Sequence, residues 1–358
     1  MRIGIDIRHL AQPHPTGVGV YTIETIHALA AEYPETTFIL FACATPRALQ
    51  YLPEFTEPNI LVEAHTLPSK ILKTLLFLPL GVTMEDILYR DIDAWWLPNV
   101  EIFKTRLPYF LTVHDLTMEI LGRTYSWKRR VKYWFTQPHR LIGRAQKVFC
   151  VSKSTAKDVK DLISKDISCV VTPLGVNEIP QRRQPYDGNI LHKFHIRQPY
   201  FLSLCTLEPR KNLSSVIEGF LEWKKETGSN TQLVLAGISG WKNRSLRKLT
   251  EGSNDIILTG YLSEKEKATL LRNCEGLIFP SFYEGFGLPV LEALQLQKPV
   301  ITAANSSLVE FNHPGVIFID AFRPSDITAA LHILPTLKSA HWPSNDVTWQ
   351  KTVKKMRF

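Results

Sequence analysis

Two carboxylates eight positions apart, Glu284 and Glu292, bracket the turn Gly285-Phe286-Gly287-Leu288-Pro289. A carboxylate accepts hydrogen bonds from hydroxyl groups, which suits a sugar. The two glycines permit a sharp turn with close backbone approach to a ligand. Pro289 fits the first turn of a helix, so the backbone N–H groups and the positive dipole end of a helix from Pro289 to Leu296 point back into the turn. Such an end binds anions. Hydroxyl acceptors beside an anion site suit a phosphorylated sugar.

A second group of charges stands in Glu208-Pro209-Arg210-Lys211-Asn212. Two cations at a helix start oppose the dipole unless an anion sits with them, and a diphosphate would supply that anion. His114-Asp115 and Thr16-Gly17-Val18-Gly19 follow other apolar runs. Gly17 and Gly19 alone are a weak signal, because Thr22 stands where a dinucleotide fingerprint needs its third glycine.

These loops need strands to carry them. Apolar runs at 3–7, 38–42, 60–63, 94–97, 109–114 and 148–152 read as strands in the first half. A second series follows at 200–205, 232–236, 256–259, 277–279, 300–303 and 316–319. Helical periodicity intervenes at 21–32, 126–145 (with Pro138 as a kink or break), 213–226, 263–272, 289–296 and 325–334. Alternating strands and helices predict α/β architecture with parallel sheets. Open parallel sheets bind ligands at the carboxyl ends of their strands, where all four loops fall. The Pro- and Arg-containing stretch 179–198 reads as a linker between domains at 1–178 and 199–340, with a final helical segment at 341–358.

With 358 residues and 44% apolar content, the chain has room for two cores. Five scattered cysteines without a C-x-x-C pair read as reduced core thiols, and the start lacks the apolar core of a signal peptide. Both point to the cytoplasm, and no apolar run reaches the roughly 20 residues of a membrane span. The net charge of +8 concentrates between Arg123 and Lys147, where eight basic residues stand without an acidic one among Tyr125, Trp127, Tyr133, Trp134 and Phe135. This reads as a solvated helix face over core aromatics or as an anionic membrane contact. No nucleic-acid signature accompanies it. Asp91-Ile92-Asp93 mimics a metal-binding D-x-D motif but precedes a strand, and no zinc or calcium ligand spacing occurs, so no metal or other cofactor is expected.

Together the four loops resemble glycosyltransferase family 4, the group 1 retaining enzymes of GT-B fold, in which two Rossmann-like parallel-sheet domains face each other across a cleft. The motif carrying most of the likeness is Glu284-x7-Glu292 within Pro280-Ser281-Phe282-Tyr283-Glu284-Gly285-Phe286-Gly287-Leu288-Pro289. The resemblance implies that Glu284 binds the donor sugar and Glu292 the nucleotide ribose. Phe286, Gly287 and Leu288 would offer N–H groups, Arg210 and Lys211 would meet the diphosphate, and His114 would lie near the reacting sugar. Gly17 and Gly19 would approach the diphosphate or acceptor, and the segment near 346–353 would cross back onto the first domain. It implies a nucleoside-diphosphate sugar as co-substrate and a saccharide acceptor, lipid-linked if the basic patch meets the inner face of a membrane. No covalent nucleophile is assigned; a front-face displacement is the family's usual proposal. The loop 206–212 looks like those of O-antigen mannosyltransferases, which favours GDP-mannose and leaves uridine and thymidine donors open. A non-catalytic nucleotide-sugar-binding partner or another GT-B enzyme such as an epimerase would share the fold; the intact Glu284, Glu292, Arg210 and Lys211 argue against the first. The chain departs from the family at Val309, where relatives often continue Pro-Glu after 305–308.

Overall fold

The computed structural model describes residues 1–14, 16–176, 188–238, 240, 249–250, 252–337, 342 and 347–358. The chain divides into two compact units, Met1–Gly175 with Val347–Phe358, and Val176–Asp346.

The first unit is built on a parallel seven-stranded sheet: β1 (Arg2–Asp6), β2 (Thr37–Cys43), β3 (Ile60–His65), β4 (Ala94–Leu97), β5 (Tyr109–Val113), β6 (Lys147–Cys150) and β7 (Cys169–Val171), in the order β3-β2-β1-β4-β5-β6-β7. Its central strands are apolar and buried on both faces, as parallel sheets require. Helices α1 (Gly17–Glu32), α2 (Ser69–Phe77), α3 (Trp127–Phe135), α4 (Pro138–Gly143) and α5 (Lys153–Leu162) connect them. Strand β7 escaped the sequence reading because three residues show no period. The expected helix 126–145 is two helices: Gln137 takes a left-handed conformation (φ 47°) immediately before Pro138, which ends α3 and starts α4.

The second unit carries a parallel six-stranded sheet: β8 (Tyr200–Leu204), β9 (Gln232–Ala236), β10 (Ile256–Gly260), β11 (Gly276–Phe279), β12 (Val300–Ala303) and β13 (Val316–Ile319), in the order β10-β9-β8-β11-β12-β13. Its helices are α6 (Gly188–Lys193), α7 (Leu213–Thr227), α8 (Glu264–Asn273), α9 (Leu288–Gln295) and α10 (Pro324–Ile333). Residues 179–187 of the expected linker lie outside the described residues, and 188–193 form α6. In each sheet the strand order reverses once, beside β1 and β4 and beside β8 and β11. Such reversals open a crevice at the strands' carboxyl ends.

The last helix, α11 (Trp349–Lys354), belongs to the first unit and packs on α1. Trp349, Thr352, Val353 and Met356 are buried, and Thr352 Oγ1 donates to the Pro173 carbonyl at 2.6 Å. Gly175 makes room for this strap, since a Cβ there would lie 2.3 Å from the Trp349 nitrogen.

Candidate functional site

In the second unit, the loops after β8 and β11 leave the sheet where its strand order reverses. After β8 the chain turns through a single 3-10 turn, Pro209–Lys211, and Asn212 then adopts a left-handed conformation (φ 57°) to start α7. The Asn212 amide donates to the Ala321 carbonyl at 2.6 Å and fixes this corner. After β11, Phe282 N–H donates to the Arg210 carbonyl at 2.9 Å, tying the two loops together.

That tie brings four charges into one cluster. Arg210 Nη1 donates to Glu284 Oε2 at 2.9 Å and to the Tyr283 carbonyl at 2.8 Å, and its Nη2 lies 3.0 Å from Glu208 Oε1. Lys211 Nζ donates to Glu284 Oε1. Glu284 is only 7% exposed. Burial raises its pKa, but Arg210 and Lys211 outweigh that and bring it down to about 2, so it is ionised at neutral pH. An anion expected opposite these cations is present within the chain itself: Glu284, with Glu208 beside Arg210. On sequence alone Glu208 has no role of its own, since one carboxylate two positions from an arginine is equally a solvated surface residue; the fold pairs it with Arg210.

Behind Glu284 stands a polar brace. Ser306 Oγ accepts from Glu284 N–H at 3.0 Å, while Ser307 Oγ donates to the carbonyls of Glu284 (3.0 Å) and Phe286 (2.8 Å). The turn then closes on Gly287, which caps α9 at φ 109°, where a side chain is strained. Helix α9 starts at Leu288, with Pro289 in its second position. The N–H groups of Phe286, Gly287 and Leu288 have no hydrogen-bond partner among the described residues. Three orphan donors at a helix start suit an oxyanion.

Glu292 lies one turn further along α9, largely enclosed, with Lys267 Nζ of α8 2.8 Å from its Oε1. Burial raises its pKa, and Lys267 only partly offsets this. Lys267 was legible only as a charge on a helix; nothing local in the sequence links it to Glu292, 25 residues away.

The remaining expected site residues belong to the first unit. His114 immediately follows β5, donates Nε2–H to the Pro98 carbonyl at 2.8 Å and meets Tyr21 edge-on at 4.7 Å. Burial takes its pKa down to about 4, so the ring is neutral near pH 7 with Nδ1 as its acceptor. Gly17 and Gly19 are not loop residues: they form the first turn of α1, where the Thr16 hydroxyl accepts from Gly19 N–H at 3.4 Å. The cap drew the helix start four residues ahead of the apolar period that begins at Tyr21. Asp93 of the D-x-D sequence accepts from Arg2 N–H at 2.7 Å, at the amino end of β1.

Residues 192–339, which contain the whole Glu208–Glu292 cluster, match the family model described as glycosyl transferases group 1. The chain is a glycosyltransferase, and its second unit carries the group 1 match. The O-antigen chain mannosyltransferase B of Escherichia coli is 27% identical to this glycosyltransferase over 347 residues, covering 91% of this chain and 88% of the relative. The serotype-specific mannosyltransferase WbdA of Escherichia coli is 29% identical over 227 residues, 58% of this chain but 28% of that protein. Among solved structures, sucrose-phosphate synthase from Thermosynechococcus elongatus superposes with a TM-score of 0.73 at 15% identity, covering 99% of this chain and 93% of that one. That likeness is one of fold, and the fold is GT-B. Among the described residues, no helix of the glycosyltransferase is long and apolar enough to cross a membrane.

Proposed function

We propose that this glycosyltransferase moves a mannosyl group from a nucleoside-diphosphate mannose, GDP-mannose first, to a hydroxyl of a growing lipid-linked polysaccharide, with retention of anomeric configuration. The observation that carries the reading is the cluster at the start of α9: two cations on Glu284 beside three unpartnered N–H groups. An incoming diphosphate competes with Glu284 for Arg210 and Lys211. As the cations turn to the phosphates, the carboxylate is released toward the hexose hydroxyls. When the sugar–phosphate bond breaks, the charge gathering on the leaving diphosphate meets Arg210, Lys211 and the N–H groups ahead of α9. Preorganised donors of this kind contribute about 3 kcal/mol each in other enzymes. His114 Nδ1, neutral, serves as a hydroxyl acceptor on the sugar. The names of the full-length and partial relatives support mannose and a polysaccharide acceptor.

The membrane side of the reading rests on α3. None of its nine residues is buried, and Trp127 and Trp134 are each 68% exposed beside Lys128, Arg129, Arg130 and Lys132. Phe135 meets Phe77 of α2 edge-on at 4.9 Å, which extends the aromatic surface. Aromatic rings between cations suit an anionic lipid surface. The enzyme thus works peripherally at the inner, cytoplasmic face, and its cysteines, all free, accord with a reducing compartment.

The test is transfer from a panel of radiolabelled GDP-, UDP- and dTDP-hexoses to a lipid-linked mannan acceptor, with the anomer of the product read by NMR. A mannosylated product of donor configuration is expected. Inversion, release of free sugar without acceptor, or activity confined to a non-mannose donor overturns the corresponding part.

A further inference from the structure

Among the described residues, Glu292 has one partner for its carboxylate: Lys267 on α8, 2.8 Å from Oε1. Lys267 reaches it from across a helix–helix contact and also lies 2.8 Å from Glu264 Oε2. The two glutamates differ. Glu264 is largely in solvent (79% exposed) and Glu292 is nearly enclosed (14%), so the pairing in the enclosed position is the one that solvent does not screen.

A carboxylate can accept both hydroxyls of a cis-diol only when ionised. Enclosure opposes that ionisation, and the charged groups facing Glu292 among the described residues are Lys267 and, beyond it, Glu264. Burial also lowers the pKa of Lys267, but Glu292 and Glu264 outweigh it, so the ammonium stays charged over the physiological range.

We propose that Lys267 is a positioning residue for donor recognition: it keeps Glu292 an anion, holds Oε1, and leaves Oε2 for a ribose diol. This rests on the reading of Glu292 as the ribose-binding carboxylate. Lys267 touches no substrate. Its effect is confined to how well the enzyme distinguishes a ribonucleotide from a deoxyribonucleotide, and to the pH at which that distinction is lost.

The experiment measures Kd by calorimetry for GDP against 2′-deoxy-GDP, and for UDP against 2′-deoxy-UDP, between pH 5.5 and 8.5. Wild type, Lys267→Met, Lys267→Arg and Glu292→Gln are compared, with thermal unfolding of each recorded. Wild type should prefer the ribonucleotide at neutral pH and lose the preference as pH falls. Lys267→Met should lose it about tenfold at pH 6.5, regain most of it at pH 8.5, and leave 2′-deoxynucleotide affinity near wild type. Lys267→Arg should restore the wild-type profile. If Lys267→Met keeps the wild-type preference at every pH while Glu292→Gln abolishes it, Lys267 merely joins two helices and the proposal fails. If Glu292→Gln itself keeps the preference, the underlying ribose reading fails and takes the proposal with it.

Discussion

Arg210 and Glu284, 74 positions apart in sequence, lie with Nη1 and Oε2 at 2.9 Å, and the same guanidinium holds the Tyr283 carbonyl at 2.8 Å. One side chain thereby fixes both the charge and the backbone of the loop that precedes α9. Losing Glu284 leaves two largely enclosed cations facing each other.

Glu284→Gln should therefore lower stability as well as transfer. The folded pKa of Glu284, about 2, lies below the ordinary value of 4.5. The stabilisation from its ionised form is complete above about pH 4.5 and is lost as pH falls through 2. A shift of this size corresponds to roughly 3 kcal/mol. Urea unfolding at pH 7 should show Glu284→Gln less stable than wild type, with the gap closing toward pH 2.5. A gap independent of pH would contradict the assignment.

His114 should titrate far below an ordinary histidine. Its ring pKa, depressed to about 4, predicts no change of protonation between pH 5.5 and 8. An NMR titration of the ring should show a midpoint near 4, and His114→Ala should lower kcat about tenfold, the loss of one hydrogen bond, without adding a pH-dependent limb. A midpoint near 6.5 would show that the ring is open to solvent.

Gly287→Ala should distort the anion-binding turn. The backbone there is at φ 109°, and a Cβ would lie 3.0 Å from Leu308 and 3.1 Å from Phe311. Strain of about 1–3 kcal/mol is expected, seen as a lower unfolding midpoint and weaker nucleoside-diphosphate binding. A variant with unchanged midpoint and affinity would show that the turn tolerates a side chain.

The α3 surface should carry the enzyme onto anionic vesicles. Flotation with phosphatidylglycerol vesicles should recover the protein at low salt and lose it with neutral phosphatidylcholine vesicles or at high salt. Replacing Lys128, Arg129, Arg130 and Lys132 by glutamine should abolish recovery, and Trp127→Ala with Trp134→Ala should weaken it. Recovery unaffected by all six changes would remove the membrane part of the function.

Much of this was legible in the chain because the strands of these parallel sheets are mostly short apolar runs. Twelve of them could be read, and the loops after Leu204 and Phe279 could be assigned to carboxyl ends without knowing the sheet order. Short strand β7 and the break at Gln137 were hidden, since neither three residues nor one left-handed conformation leaves a periodic trace. At the site, residue types announced Glu284, Glu292, Arg210 and Lys211. Their partners did not announce themselves: Lys267 meets Glu292 only because α8 packs on α9, and Ser306 and Ser307 meet the Glu284 loop only because β12 lies beside β11. Contacts of that kind are set by tertiary packing.

The most direct test of the account is calorimetric titration of GDP and guanosine into wild type, Arg210→Ala and Lys211→Ala. The account predicts tight GDP binding by wild type, at least tenfold weaker GDP binding by each variant, and guanosine affinity that is low and equal in all three. GDP binding equally tight in wild type and both variants would contradict it.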